Sequence, residues 1–188
     1  MADHLTFKPL TQETWEHFEI LFGPRGACGG CWCMTWRLPK GEFDVSKGEG
    51  NKKRMRKLAS SGEAIGVLAF DGDTPVGWCA VAPREKYVRL EKSRSLKPLD
   101  DKPVWCVSCF FVAKTHRRNG LSVKLLKAAI DYAGTEGARI IEGYPIEPKD
   151  KIMPDVFAWT GILSSYLKAG FVEEKRHSAA RPIVRYYR

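Results

Sequence analysis

Apolar and polar positions alternate over residues 4–8, from His4 onward, which predicts a strand. The stripe Trp15, Phe18, Leu21 and Phe22 has helical spacing, with Thr11 as the expected N-cap, Leu10 stapling against Trp15, and Gly23-Pro24 as the stop. From there to about residue 49 no period is visible, and the chain reads as an ordered loop rich in Gly, Cys and Trp. A basic helix is expected over 51–60. Strands over 64–70 and 76–81 flank Asp71-Gly72-Asp73, a hairpin by its turn chemistry. Residues 83–101 are charged and irregular.

The most apolar run, 104–112, reads as a strand at the centre of a sheet. It is followed by a helix over 121–133 whose inner face carries Leu125, Leu126, Ala129, Ile130 and Ala133. A strand over 139–144, a loop punctuated by Pro145, Pro148 and Pro154, and a helix ending at Lys168-Ala169 come next. Gly170 is placed for a left-handed cap with Phe171 folding back, and strand-like runs at 171–175 and 183–187 close the chain. Strands interrupted by a few helices imply an α/β (α+β) sheet with helices on its faces.

Composition narrows this only a little. The chain has 188 residues, 44% hydrophobic and 28% charged, the profile of one globular domain, 1–188. No run is apolar and long enough for a membrane span, and the N-terminus lacks an export-signal pattern, so the expected location is cytoplasmic. The net charge of +9 favours anionic partners. The run Lys52-Lys53-Arg54-Met55-Arg56-Lys57 reads either as a solvated helix face or as a phosphate or acidic-partner contact. Nucleic-acid binding through it lacks the aromatic or helix-turn-helix pattern such proteins carry.

Six cysteines in such a chain are expected as free thiols. Cys28, Cys31 and Cys33 crowd one loop, while Cys106 and Cys109 lie three positions apart in a strand and so point to opposite faces unless the strand bulges. No metal site is expected on that geometry.

The candidate chemistry lies where the central strand turns into a helix, through Arg117-Arg118-Asn119-Gly120-Leu121-Ser122. A strand, a basic glycine-containing turn and a helix N-terminus suit a pyrophosphate, because unpaired N–H groups and the helix dipole face the anion. The spacing is neither that of a dinucleotide fingerprint nor that of a P-loop.

Here the sequence resembles the GNAT superfamily of acetyltransferases. Their phosphate loop, Gln/Arg-x-x-Gly-x-Gly/Ala, appears as Arg117-x-x-Gly120-x-Ser122, with Ser in place of the final Gly or Ala. Their Tyr ahead of a Gly-Phe pair appears as Tyr166 before Gly170-Phe171. The similarity is most marked to bacterial members with a Cys- and Trp-rich N-terminal loop.

The resemblance implies a mixed, mostly antiparallel sheet flanked by helices, with a motif-bearing core at about 64–188 and an acceptor-side region at 1–63. It implies an acetyl-CoA-dependent N-acetyltransferase acting on an amine of a small molecule or peptide. A non-catalytic acyl-CoA sensor is the other reading, and a homodimer is compatible with both. Backbone groups of Phe111 and Val112 would pair with pantetheine, and amides of Arg117, Arg118, Asn119, Gly120, Leu121 and Ser122 would hold the pyrophosphate. Tyr166 is either the proton donor or a packed helix-end aromatic. The central strand offers no carboxylate, which leaves Glu142 as a catalytic or acceptor-binding group or as half of a buried ion pair. Trp32 and Trp36 either stack on the acceptor or pack as a lid, and an acyl-cysteine lacks a nearby His in sequence.

Overall fold

The computed structural model describes residues 5–148, 154–178 and 180–188. Its centre is a seven-stranded sheet in the order β1-β2-β3-β4-β5-β7-β6. The strands are β1 (Leu5–Pro9), β2 (Gly66–Asp71), β3 (Thr74–Pro83), β4 (Trp105–Val112), β5 (Ile140–Gly143), β6 (Val172–Ser178) and β7 (Arg181–Tyr187). All pairings are antiparallel except β4 with β5, which are joined through the long helix α5 (Leu121–Thr135). A parallel pair needs such a crossover. His4, expected at the start of the first strand, lies outside the described residues.

One face of the sheet is covered by α5 and the short α6 (Leu163–Lys168). Leu125, Leu126, Ala129, Ile130 and Ala133, the stripe the sequence predicts, are all buried there, and Leu121 joins them. The other face carries α1 (Trp15–Phe22), the Cys- and Trp-rich loop and α3 (Glu49–Ser60). On α3 only Asn51, Met55 and Ala59 are buried, while Lys53, Arg54, Arg56 and Lys57 face solvent. The basic run is therefore the outer face of an amphipathic helix.

Local expectations hold where the signal is local. At the end of α6 the Phe171 N–H donates to the Tyr166 carbonyl and the Gly170 N–H to that of Leu167, with Gly170 at φ +98°, a complete Schellman cap. The N-cap of α1 is Thr14, not Thr11. The Thr14 hydroxyl donates to the Pro9 carbonyl and accepts the Thr11 N–H, which delays the helix start to Trp15. Two short helices, α2 (Lys40–Val45) and α4 (Val88–Glu91), form inside stretches that read as irregular. Each buries a single large side chain, Phe43 and Leu90, too little to produce a periodic stripe.

Candidate functional site

The site begins with a gap in the sheet. β4 pairs with β5 only over Trp105↔Ile141, Cys106↔Glu142 and Val107↔Gly143, and then runs on to Val112 with no strand on that side. At the inner end of the gap β4 bulges: Ala80 of β3 pairs with Cys109 and Val81 with Val107, which leaves Ser108 as the extra residue. Val107 and Phe110 pack under α5, whereas Cys109 and Phe111 pack on the opposite face. The bulge thus removes the opposite-face geometry expected of Cys106 and Cys109. Among the described residues no three His, Cys, Asp or Glu side chains are grouped to hold a metal.

The backbone polar groups at the open edge follow from alternation. Ala113 donates its N–H to Val76 on the β3 side, and the Val112 carbonyl accepts the Arg117 Nε–H at 2.9 Å on the open side. Stepping back along the strand, Val112 and Phe110 present their backbone to the gap, while Phe111, register partner of Trp78, faces β3. Of the residues at this edge, Phe110 and Val112 leave backbone groups toward the gap, whereas those of the expected Phe111 point to β3.

Beyond Val112 the chain makes a tight turn into α5. Arg118 and Gly120 both adopt positive φ, +62° and +76°, and the space where a Gly120 side chain would project is open. No side chain caps α5, and among the described residues no acceptor takes the N–H groups of Arg118 to Ser122. A curved row of free amides at a positive helix end fits a phosphate. Two of the basic side chains are engaged within the protein: His116 Nε2 lies 3.1 Å from Asp71, and Arg117 pairs with Asp155 at 2.8 Å.

Asp155 opens a single 3-10 segment, Asp155–Thr160, that packs along β4. Its far end carries Trp159, stacked on Trp36 at 5.7 Å, and the Thr160 carbonyl, which accepts the Tyr166 hydroxyl at 3.1 Å. Tyr166 is fully buried, edge-on to Phe110 and Phe171. It reaches the mouth of the gap because Gly143 leaves room: a methyl there would stand 2.2 Å from the ring. Burial holds its phenol well above the usual range, so the hydroxyl keeps its proton.

Glu142 is also fully buried, and both of its oxygens are occupied. One takes Arg84 at 3.2 Å and the Tyr144 hydroxyl at 2.5 Å, the other takes Arg185 at 2.8 Å. Asp100 and Glu91 complete the cluster by pairing with Arg185 and Arg84. This is the buried-ion-pair arrangement, assembled from five separate segments of the chain.

On the opposite face Trp32 is 3% exposed, stacked at 5.7 Å on Phe22 and 6.3 Å on Trp15, with the Lys52 ammonium 5.4 Å above its ring. Its edge borders a cleft of about 800 Å³ with Glu16, Glu19, Ile20, Glu49 and Lys52. Trp36 is half-buried, sandwiched between Trp159 and the Arg89 guanidinium. The sequence reading missed Trp159, the Ser108 bulge and the pairing of Arg117 with Asp155; all depend on long-range contacts with no local pattern.

Residues 32–147 match the model of the acetyltransferase (GNAT) family. No curated protein matches the chain significantly. Among solved structures, the PaiA N-acetyltransferase of Thermoplasma acidophilum in complex with coenzyme A superposes with TM-score 0.53 at 15% identity, over 100% of both chains. The ribosomal-protein-S5-alanine acetyltransferase of Vibrio fischeri gives 0.56 at 12% identity, over 100% of this chain and 94% of that one. An aminoglycoside acetyltransferase in complex with coenzyme A and kanamycin gives 0.53 at 16% identity, over 98% and 95%. Among the described residues no helix is long and apolar enough to cross a membrane.

Proposed function

We propose that this chain, which belongs to the GNAT acetyltransferase family, transfers an acetyl group from acetyl-CoA to the amine of a small molecule or peptide. The observation that carries the proposal is the coupling of an open β4 edge to a row of free amides at the start of α5. An extended pantetheine arm can pair with Phe110 and Val112 as an added strand, and its pyrophosphate then meets the amides of Arg118 to Ser122. Acetyl-CoA brings an activated thioester to the inner end of the gap.

The protein's own groups then have distinct tasks. Tyr166 keeps its proton and packs beside Gly143 where the gap begins, and turning its hydroxyl from the Thr160 carbonyl lets it donate to a departing thiolate. Backbone N–H groups at the Ser108 bulge, freed from regular pairing, suit a developing oxyanion. Glu142, saturated by two guanidiniums, serves as the anchor that ties β5 to β7 and to the segment after β3 where the gap begins, not as the proton acceptor. Trp36 and Trp159 wall the acceptor side, and Trp32 supports it from within the core. Arg117 must leave Val112 and Asp155 before it can meet a phosphate.

The test has two arms. Coenzyme A at 100 times its dissociation constant stabilises the fold by about 2.7 kcal/mol, read as a raised melting temperature. Thiol release from acetyl-CoA is then followed with kanamycin, a peptide beginning with alanine, and a simple alkylamine. Tyr166→Phe should lower kcat about 10- to 100-fold with little change in coenzyme A binding. No thermal shift at saturating coenzyme A would end the proposal.

A further inference from the structure

Among the described residues three arginines are almost wholly buried, and two of them are neutralised within the fold. Arg84 pairs with Glu142 and Glu91, and Arg185 with Glu142 and Asp100. Arg37, only 7% exposed, pairs with no carboxylate among the described residues. Glu63, whose field reaches it, is taken by Lys86 at 2.7 Å. The Tyr87 ring, 4.8 Å from the guanidinium, offsets only part of the charge. A guanidinium buried without an anion is costly, and that cost falls away when an anion arrives.

The unmet polar groups are not scattered. Seven buried side-chain nitrogen or oxygen atoms lack a hydrogen-bond partner among the described residues, and four of them belong to Trp36, Arg37 and Tyr87. Two are Nε and Nη2 of Arg37, one edge of the guanidinium, whose parallel N–H groups match the two oxygens of a carboxylate. The others are the Trp36 indole nitrogen and the Tyr87 hydroxyl, which burial keeps protonated. All four can donate, so a ligand group that only accepts satisfies them. One positive charge suits a carboxylate, whereas a phosphate dianion would remain half neutralised.

The backbone holds these groups on the acceptor side. The N–H groups of Arg37 and Leu38 both donate to the Met34 carbonyl, at 3.0 and 3.3 Å, closing a turn that sets Arg37 against Tyr87. Arg89 of α4 fastens that turn, donating its N–H to the Trp36 carbonyl and its Nη1–H to the Thr35 carbonyl. Tyr87 lies four residues beyond β3, whose end, Ala82 and Pro83, pairs with Cys106 and Trp105. The phosphate turn follows Val112, about 20 Å further along β4. The Arg37 edge is therefore too far away to serve the phosphates of coenzyme A. It lies past the inner end of the gap, where Trp36 and Trp159 form the wall. Arg37 and Tyr87 are closed to solvent and Trp36 is partly exposed, so the way in passes the Trp36 indole.

We propose that Arg37, with Tyr87 and Trp36, forms a carboxylate site, and that the acceptor is a small amine that also carries a carboxylate. This rests on the acetyltransferase reading above and narrows its acceptor. The carboxylate enters past Trp36, takes the Nε–Nη2 edge with its two oxygens, and leaves the amine facing the thioester. The transfer itself is unchanged: the amine nitrogen gains the acetyl group, coenzyme A leaves as the thiol, and one proton passes to solvent. Arg37 selects the acceptor and takes no part in bond making.

The experiment uses ω-amino acids from glycine to aminohexanoate, each beside its carboxamide, and follows thiol release from acetyl-CoA. At the best chain length the carboxylate should be preferred by about 100-fold in kcat/KM, mostly through KM. Arg37→Met should bring that ratio close to one. Arg37→Lys, which keeps the charge but loses the fork, should retain about 10-fold. Should Arg37→Met fail to fold, Tyr87→Phe should lower the preference about 5-fold through loss of one donor. The same compounds are titrated calorimetrically into the protein saturated with coenzyme A, which reads the site without turnover. Carboxamides used as well as carboxylates at every length, or a preference that survives Arg37→Met, would overturn the proposal. Carboxylate binding that depends on Arg37, in a protein that releases no thiol with any amine, keeps the site and refutes the acetyltransferase reading. Turnover without such binding refutes the site alone.

Discussion

The turn after β4 and the loop between α1 and α2 flank the same strand, yet they are built in opposite ways. The turn works through backbone: Arg118 and Gly120 bend it, and unclaimed amides line it. The loop works through side chains packed into a core, with Trp32 against Phe22 and Trp15, and Cys33 under Trp78. Of the four non-glycine residues at positive φ among the described residues, three, Ala27, Trp32 and Cys33, lie in the loop. A turn that presents amides needs one permissive residue at the right place. A loop that presents chosen side chains must bend wherever their packing requires, and the core meets the cost.

The largest effect is expected outside both regions, at Glu142. Glu142→Gln leaves Arg84 and Arg185 buried without their shared carboxylate, and should cost about 3–5 kcal/mol in a denaturant titration. A variant of normal stability with a collapsed rate would reverse the assignment and return Glu142 to the proton-acceptor role.

Gly26→Ala and Gly120→Ala separate the two modes of construction. At Gly26, φ is +59° and an added methyl would stand 2.3 Å from the Trp32 indole, so strain and overpacking combine. The expected loss is about 2–4 kcal/mol, with coenzyme A affinity of the folded fraction unchanged. At Gly120 the space is open and only φ is unfavourable. There the loss should be about 1–2 kcal/mol, while coenzyme A binding weakens by about 10-fold because the amides lose their curvature. Calorimetric titration beside thermal melting reads both; equal effects on binding would erase the distinction.

The same contrast explains what the sequence revealed. The β4–turn–α5 unit and the Gly170 cap are contiguous, each signal lying within one turn of the feature it reports, and both were read from the chain directly. The anchor at Glu142 draws on Arg84, Asp100, Tyr144 and Arg185, up to 58 residues away in the case of Arg84, and no local pattern announces it. The bulge at Ser108 changes which face Cys109 occupies, and strand alternation in the sequence points the wrong way across it. Apolar content shows that a strand is present, but not which of its peptide groups face an open edge, so Phe110 is not distinguished from Phe111 in the sequence. Trp32 and Trp36 stood out as residue types, whereas their surroundings, a sealed core for one and Trp159 for the other, follow only from the folded arrangement.

The smallest effect bears on how the two halves communicate. The segment Asp155–Thr160 touches both, through Asp155 to Arg117 at one end and Trp159 to Trp36 at the other. The Asp155 carboxylate lies where Arg117 would otherwise be free for a phosphate, so anion and carboxylate compete for one guanidinium. Both partners are partly exposed, 28% and 52%, and their separation should cost less than about 1 kcal/mol of stability. Asp155→Ala should therefore leave the melting temperature nearly unchanged and tighten coenzyme A binding by about 2- to 5-fold, a gain that shrinks as salt screens the competition. Trp159→Ala removes the other end and should loosen Trp36 without that gain, since no charge is released near the turn. If Asp155→Ala weakens coenzyme A binding instead, the carboxylate orients Arg117 toward the phosphate, and the segment is part of the donor half and not a bridge between the two.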